Sequence, residues 1–219
     1  MPPQTALSPR KKPRQARSRS TFEAILTAAA RVLVERGYAK MTTVAVAERA
    51  GVSVGSLYQY FPGKDALMAA LFERHMESVV QITERAAQGG AGRSLEEDVD
   101  SQLGALLAAK MANPRLAVAL KSQVPMRRGY PSLRPLLDRM ERLIRRSLEE
   151  HRREVAFGDL DFAAFLLVSA VEGVMGAALE RRPDLLEGAA LRSALVRLVV
   201  AFLTAPRRGI PPAPGRSAG

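Results

Sequence analysis

The residues with chemistry to offer are concentrated in one short stretch, residues 42–64, TTVAVAERAGVSVGSLYQYFPGK. It supplies the hydroxyls of Thr42, Thr43, Ser53, Ser56, Tyr58 and Tyr60, the amide of Gln59 and the cation of Lys64. These groups recognise rather than react. Hydroxyls and a lysine suit phosphate oxygens, and a glutamine amide can meet an adenine edge with two hydrogen bonds. Val54 can touch a thymine methyl, Ser56 can donate or accept, and Gly55 lets the backbone approach closely. Val44 can also reach a base edge. Covalent chemistry has little to work with. There is no cysteine and there are two histidines, His75 and His151, both in charged helical stretches where solvation is expected. A disulfide scaffold, a thiolate metal site and a Cys nucleophile are excluded, and no HExxH or P-loop pattern is present. Neither enzyme activity nor a metal or cofactor is expected.

The spacing of apolar residues says what positions those groups. Ser20 or Thr21 can cap a helix running to about Arg36, with Phe22, Ile25, Leu26, Ala29, Val32 and Leu33 on one face and Gly37 as its stop. Thr42 or Thr43 caps a second, short helix with Val44, Ala47 and Ala50 available for packing. Gly51 supplies a left-handed turn that other residues resist. Ser53 caps a third helix, residues 54–60, in which Leu57 and Phe61 face inward. Val54, Gly55, Ser56 and Gln59 then face outward, flanked by Tyr58 and Tyr60, and Pro62-Gly63 ends the helix. This is a helix-turn-helix pattern, whose second helix enters the DNA major groove. Thr42, Thr43 and Ser53 stand at helix N-termini, which suit phosphates. Lys64 opens a fourth helix, where its charge opposes the dipole unless an anion is near.

The charge distribution agrees. Of a formal net charge of +11, residues 1–19 carry +6 and residues 20–64 carry +2. An anionic partner at the N-terminal end follows. Residues 1–19 hold Arg10, Lys11, Lys12, Arg14, Arg17 and Arg19 with almost no large apolar side chains, the composition of a disordered basic arm. Such an arm can track phosphates or a minor groove, or remain a solvated tail. The apolar run 162–179 has the length of a membrane span, but Glu172, Ser169 and two glycines favour a buried helix. No secretory signal is visible, and a cytoplasmic, nucleoid-associated protein is expected.

The run from Ala24 through Leu71, above all GVSVGSLYQYFPGKDAL, closely resembles the N-terminal domain of the TetR family of bacterial transcriptional regulators. The resemblance covers residues 20–72 and rests on the Ala-Gly-Val-Ser turn, the Leu-Tyr-x-Tyr-Phe helix and the Gly-Lys-x-x-Leu start in the family's order. It implies that Thr42, Thr43, Val44, Ser53, Val54, Gly55, Ser56, Tyr58, Gln59, Tyr60 and Lys64 meet DNA. Tyr58 has a second reading as a packing residue. The expected fold is all-α: a three-helix helix-turn-helix domain (20–64) between the arm (1–19) and a larger helical bundle for regulation and dimerisation (65–205), with a disordered tail (206–219).

Within 65–205 the pattern gives a long helix from Lys64 to about Ala87 and a capping box of Ser94 with Glu97. Pro114 starts a short helix, residues 124–131 read as a loop, and Ser132 caps a helix to about Val155. Asp159 opens the nearly uncharged helix, and a last helix runs over about 187–204. The final two helices are apolar enough to need a second surface, which a two-fold homodimer supplies. The resemblance further implies an effector cavity for a small, largely apolar ligand, for which Met111, Met126, Tyr130, Met140, Phe165, Glu172 and Met175 are the candidates. The expected function is a repressor released from a palindromic operator by that ligand. The alternative is a DNA-binding protein of the same fold without a ligand, architectural or controlled by a partner protein.

Overall fold

The computed structural model describes residues 16–88, 92–122 and 133–206. Every regular element among them is a helix: α1 (Ala16–Lys40), α2 (Thr43–Ala50), α3 (Val54–Tyr60), α4 (Lys64–Gln88), α5 (Leu95–Met111), α6 (Pro114–Ser122), α7 (Leu133–Glu150), α8 (Leu160–Arg181), α9 (Asp184–Glu187) and α10 (Ala189–Thr204). They form two compact units. The first is residues 1–78 with 113–134, and the second is residues 79–112 with 135–219.

The first unit packs α1, α2, α3, the first part of α4 and α6 around one core. Ile25, Leu26, Ala29, Val32 and Leu33, the stripe expected for α1, are buried there with Val46, Leu57, Phe61, Leu67, Met68 and Leu71. Helices of seven and eight residues, as α3 and α2 are, are marginal alone, so this shared core holds them. Phe22 stacks on Phe61 with ring centroids 4.9 Å apart. α1 starts at Ala16, earlier than the cap expected at Ser20 or Thr21. Arg17 and Arg19, expected in the disordered arm, are therefore helical. The extra turn is tied down by Thr21 Oγ1 donating to the Arg17 carbonyl and by a hydrogen bond between Ser18 Oγ and Tyr60 Oη, 3.0 Å apart. The rest of the arm, residues 1–15, lies outside the described residues, as do the loop 124–131 and the tail beyond Pro206. Regular α1 backbone breaks at Gly37, with φ 71° and ψ 164°.

The boundary expected after Lys64 falls elsewhere. The first unit extends along α4 to Ser78 and takes in α6, whose Leu116, Ala119 and Leu120 are buried in the core of the first unit. Apolar spacing identifies a face of α6 but not the face it packs against.

The second unit is built from α5, α7, α8, α9, α10 and the end of α4. Its core includes Leu103, Leu106, Leu107, Leu160, Ala163, Leu167, Met175, Leu195, Val199 and Leu203. The capping box at α5 is present in both directions, Ser94 to Glu97 and back. Asp159 caps α8, accepting from the Phe162 N–H at 2.9 Å. α7 stops at Glu150 rather than near Val155, because the backbone turns at residues 151–154 and returns Val155 and Phe157 to the core. α8 is long and apolar enough to cross a membrane, yet Ala163, Ala164, Leu167, Val171 and Met175 are buried inside the unit.

Candidate nucleic-acid interface and effector cavity

The turn between α2 and α3 has the backbone that its sequence demands. Gly51 sits at φ 68°, ψ 30°, and its N–H closes α2 on the Ala47 and Glu48 carbonyls. A Cβ there would meet nothing within 4 Å, so glycine is required by the backbone conformation and not by crowding. Thr42 Oγ1 accepts from the Ala45 N–H at 3.1 Å. Ser53 Oγ accepts from the Ser56 N–H at 3.0 Å and lies 2.8 Å from Ser56 Oγ. Both caps hold, so Thr42 and Ser53 are first of all structural, with their helix N-termini left open outward. Residues 51–55, Gly-Val-Ser-Val-Gly, also spell the GxSxG of a hydrolase nucleophile elbow. That motif needs a strand leading into the serine. Here a helix leads in and Ser53 caps the next one, so only the letters agree.

The outward set divides. Val44 is 48% and Tyr58 40% exposed. Gly55 and Gln59 are exposed beside them, and the Gln59 side chain has no hydrogen bond to a described residue. A Cβ on Gly55 would meet only Ser53 Oγ, at 3.9 Å. The chain itself therefore does not demand glycine at this position. Tyr58 Oη lies 3.2 Å from Thr43 Oγ1, which brings those two candidates together on one rim. Val54, Ser56 and Thr43 are half-buried.

Tyr60 and Lys64 are placed differently from the expectation. The Tyr60 ring is buried at 9% exposure and packs edge-on against Phe22, centroids 6.1 Å apart. Its hydroxyl meets Ser18, so it joins the end of α3 to the first turn of α1. Lys64 Nζ donates to the Tyr38 carbonyl and stands 3.8 Å above the Tyr38 ring. Tyr38 Oη in turn donates to Asp65 Oδ1 at 2.6 Å. The cation at the start of α4 is thus compensated within the chain by a carbonyl and an aromatic face.

The second unit holds a cavity of about 80 Å³ lined mainly by Leu103, Leu106, Ile144, Leu148, Leu167, Val171 and Val199, with Thr83, Gln102, Ser147 and Glu172 as its polar side chains. Space of this size admits several waters or a small apolar group. Of the ligand candidates, Met140 and Glu172 line it. Glu172 is ion-paired to Lys110, Nζ to Oε1 2.8 Å. Met175 is buried in the core outside that lining, and Met111 is partly buried against the same core. Phe165 is 46% exposed. It is not among the residues that line the cavity, although it stands on the same side of α8 as Glu172, seven residues on. Met126 and Tyr130 lie outside the described residues.

Sequence reasoning missed the polar group beside this cavity. His151 is buried at 9% exposure rather than solvated, and His75 is half-buried. His151 Nε2 lies 3.3 Å from Asp98 Oδ2 and its Nδ1 lies 3.2 Å from Glu154 Oε1. Asp98, 2% exposed, also receives Gln102 and Ser147. The signal was present. Asp98 and Gln102, and Ser147 and His151, are polar pairs at i, i+4 set into the apolar stripes of α5 and α7, and buried polar groups need partners.

Two short helices joined at a glycine turn and packed on the longer α1, with one exposed polar face on the last, define a helix-turn-helix module within an all-α chain. Residues 25–71 match the family described as "Bacterial regulatory proteins, tetR family", and residues 94–203 match "Tetracyclin repressor-like, C-terminal domain". The chain belongs to the TetR family, whose members are transcription regulators and not enzymes. Among curated relatives, the HTH-type transcriptional repressor KstR of Mycolicibacterium smegmatis is 38% identical over 96 residues, 44% of this chain and 46% of the relative. The HTH-type transcriptional regulator CymR of Pseudomonas putida is 37% identical over 97 residues, again 44% and 46%. The chain spans less than half the length of the curated relatives it matches. Among solved structures, the fatty acid degradation regulator FadR from Bacillus halodurans superposes with a TM-score of 0.67 at 20% identity, covering 86% of this chain and 97% of that one. FadR from Bacillus subtilis, solved in complex with stearoyl-CoA, gives 0.64 at 20% identity, covering 82% and 98%. These likenesses show the fold.

Proposed function

We propose that this chain is a homodimeric repressor that binds a palindromic operator through α3 and is released by a small, largely apolar ligand in the cavity of its second unit. It acts in the cytoplasm, at the nucleoid. The observation that carries the reading is the two-sidedness of α3. Leu57 and Tyr60 fix one side in the core, while Gly55, Tyr58 and Gln59 are left exposed on the other. Gln59 and Ser56 read bases, with Val44, Val54 and Gly55 in close apposition. Thr42, Thr43, Ser53 and Tyr58 hold phosphates, joined by Tyr60 through its hydroxyl edge and by Lys64, which exchanges the Tyr38 carbonyl for a phosphate oxygen.

The dimer forms on α8 and α10. Phe165, Ser169, Gly173 and Val174 make an exposed strip of apolar and small residues on α8, and Ala194, Leu198 and Ala201 make one on α10. Beyond its own helix, nothing among the described residues lies within 4 Å of a Cβ added at Gly173, so another backbone can come close there. A two-fold pair places two recognition helices on two half-sites, and operator palindromy follows. Release follows from linkage: the ligand must prefer a dimer whose recognition helices do not fit the operator, by ~10⁴-fold for a complete switch. α4 contributes residues to both units and is the element through which the preference acts.

The test is selection of bound sequences from random DNA, followed by a compound screen for release from the selected operator. Recovery of a palindrome and release by an apolar compound are expected. Enrichment of no sequence would sink operator reading. A palindrome that no compound releases would leave the same fold acting without a ligand. Leu198→Arg should give a monomer by sedimentation, and an intact dimer would refute the α8–α10 face.

A further inference from the structure

We infer that the ligand carries a hydrogen-bond donor on its apolar body, as an alcohol, phenol or amine does, and that the cavity discriminates against ethers and carboxylates. This rests on the reading of the cavity as an effector site. It follows from counting protons on the polar side chains of the lining, Thr83, Gln102, Ser147 and Glu172. The Thr83 hydroxyl donates to the Val79 carbonyl at 3.0 Å. The Ser147 hydroxyl donates to Asp98 Oδ2 at 2.8 Å. Gln102 Nε2 donates to both Asp98 Oδ2 and Ser147 Oγ, each at 2.9 Å. A carboxylate only accepts, so the amide nitrogen and not its oxygen must face Asp98, which fixes the orientation of Gln102. Glu172 brings a carboxylate, already paired with Lys110.

Every donor in the lining is therefore taken. What remains for an occupant is lone pairs: Gln102 Oε1, the second lone pairs of Thr83 and Ser147, and the Glu172 oxygens. Directly behind Gln102 and Ser147, Asp98 Oδ2 collects two donors and lies 3.3 Å from His151 Nε2. Its Oδ1 is buried with no hydrogen-bond partner among the described residues. Asp98 does not itself line the cavity, but by taking the protons of Gln102 and Ser147 it leaves only their lone pairs facing an occupant, and a buried acceptor left without a donor is costly. A ligand carboxylate would meet acceptors there, with the charge of Asp98 behind them. An ether of the same shape would leave the same lone pairs unanswered.

The test uses the full chain and three probes that share one apolar body, para-butylphenol, para-butylanisole and para-butylbenzoate, with para-butyltoluene as the size control, titrated by calorimetry and checked by the rise in melting temperature. The phenol should bind at least about tenfold tighter than the other two, the discrimination expected of unmet polar groups. Gln102→Met removes one acceptor and should narrow the phenol-to-anisole ratio to within about threefold, with Ser147→Ala as a second variant if the first is unstable. Anisole or benzoate binding as tightly as the phenol to the unaltered chain would overturn the donor requirement and leave the cavity an effector site. An unchanged ratio in the variants would overturn it too. Binding of none of the three would overturn the effector reading of the cavity, and this inference with it.

Discussion

Gln59→Ala separates sequence reading from general attraction. Gln59 is exposed and its side chain has no hydrogen bond to a described residue, so removing it takes nothing from the fold. A surface change of this kind alters stability by within about 0.5 kcal/mol, and alanine is at least as good a helix former. The loss falls on DNA. A glutamine meeting adenine with two hydrogen bonds supplies about 1–3 kcal/mol of discrimination against a wrong base. At a tenfold change per about 1.4 kcal/mol, the preference at one base pair of each half-site should fall by about 5- to 150-fold. The phosphate term is sequence-independent, so affinity for random DNA should hardly move. The assay is fluorescence anisotropy at one fixed salt concentration, on the selected operator, on operators altered one base pair at a time, and on random duplex. A variant that weakens all duplexes equally would refute base reading by Gln59. A variant whose melting temperature drops would show that the side chain serves the fold after all.

Three further outcomes follow from other contacts. Gly51→Ala should cost about 1–2 kcal/mol in urea unfolding from its left-handed backbone alone, since a Cβ there meets nothing within 4 Å; a neutral result would mean the turn relaxes. Lys64→Ala should lower the salt slope of operator binding by about one per protomer, and should also cost about 0.5–1 kcal/mol of stability from the lost contact with the Tyr38 ring. A stability loss with an unchanged slope would make Lys64 a strut for α1 only. Glu97→Gln tests the α5 cap. The Ser94 N–H and then its hydroxyl hold the Glu97 carboxyl below its ordinary range, so its contribution is full above the unfolded value and is lost as pH falls through the lower folded one. The acid limb of the far-UV circular dichroism curve should be less steep in the variant, and an unchanged limb would remove Glu97 from the acid response.

How much of this was legible in the sequence depended on whether a residue's partner was local. Gly51, the Ser94–Glu97 box and the α1 stripe are decided within a few residues, and period and cap chemistry revealed them. Tyr60 was read as an outward phosphate anchor because it flanks the exposed positions of α3. Its burial depends on Phe22 and Ser18, about forty residues earlier. α6 went to the wrong unit for the same reason: its apolar face was clear, but the core that receives it was not.

The polar cluster of the second unit shows the same limit from the other side. His151 reads as solvated in a charged helical stretch, and Asp98, Gln102 and Ser147 carry no signature of their own in the sequence. Only the meeting of α5 with the end of α7 turns them into a buried set. Within that set the constraint is stricter than any one residue suggests. Each proton given to Asp98 is one withheld from the cavity, so the specificity of the cavity is fixed by a carboxylate that does not line it. A change at Asp98 should therefore alter which ligands bind before it alters how tightly they bind. Asp98→Asn keeps the shape and adds two amide protons, which frees Gln102 or Ser147 to donate inward. The anisole, rejected by the unaltered chain, should then gain at least about tenfold relative to the phenol. An unchanged ratio in a variant that melts as before would show that the hydrogen-bond direction in this cluster does not reach the cavity.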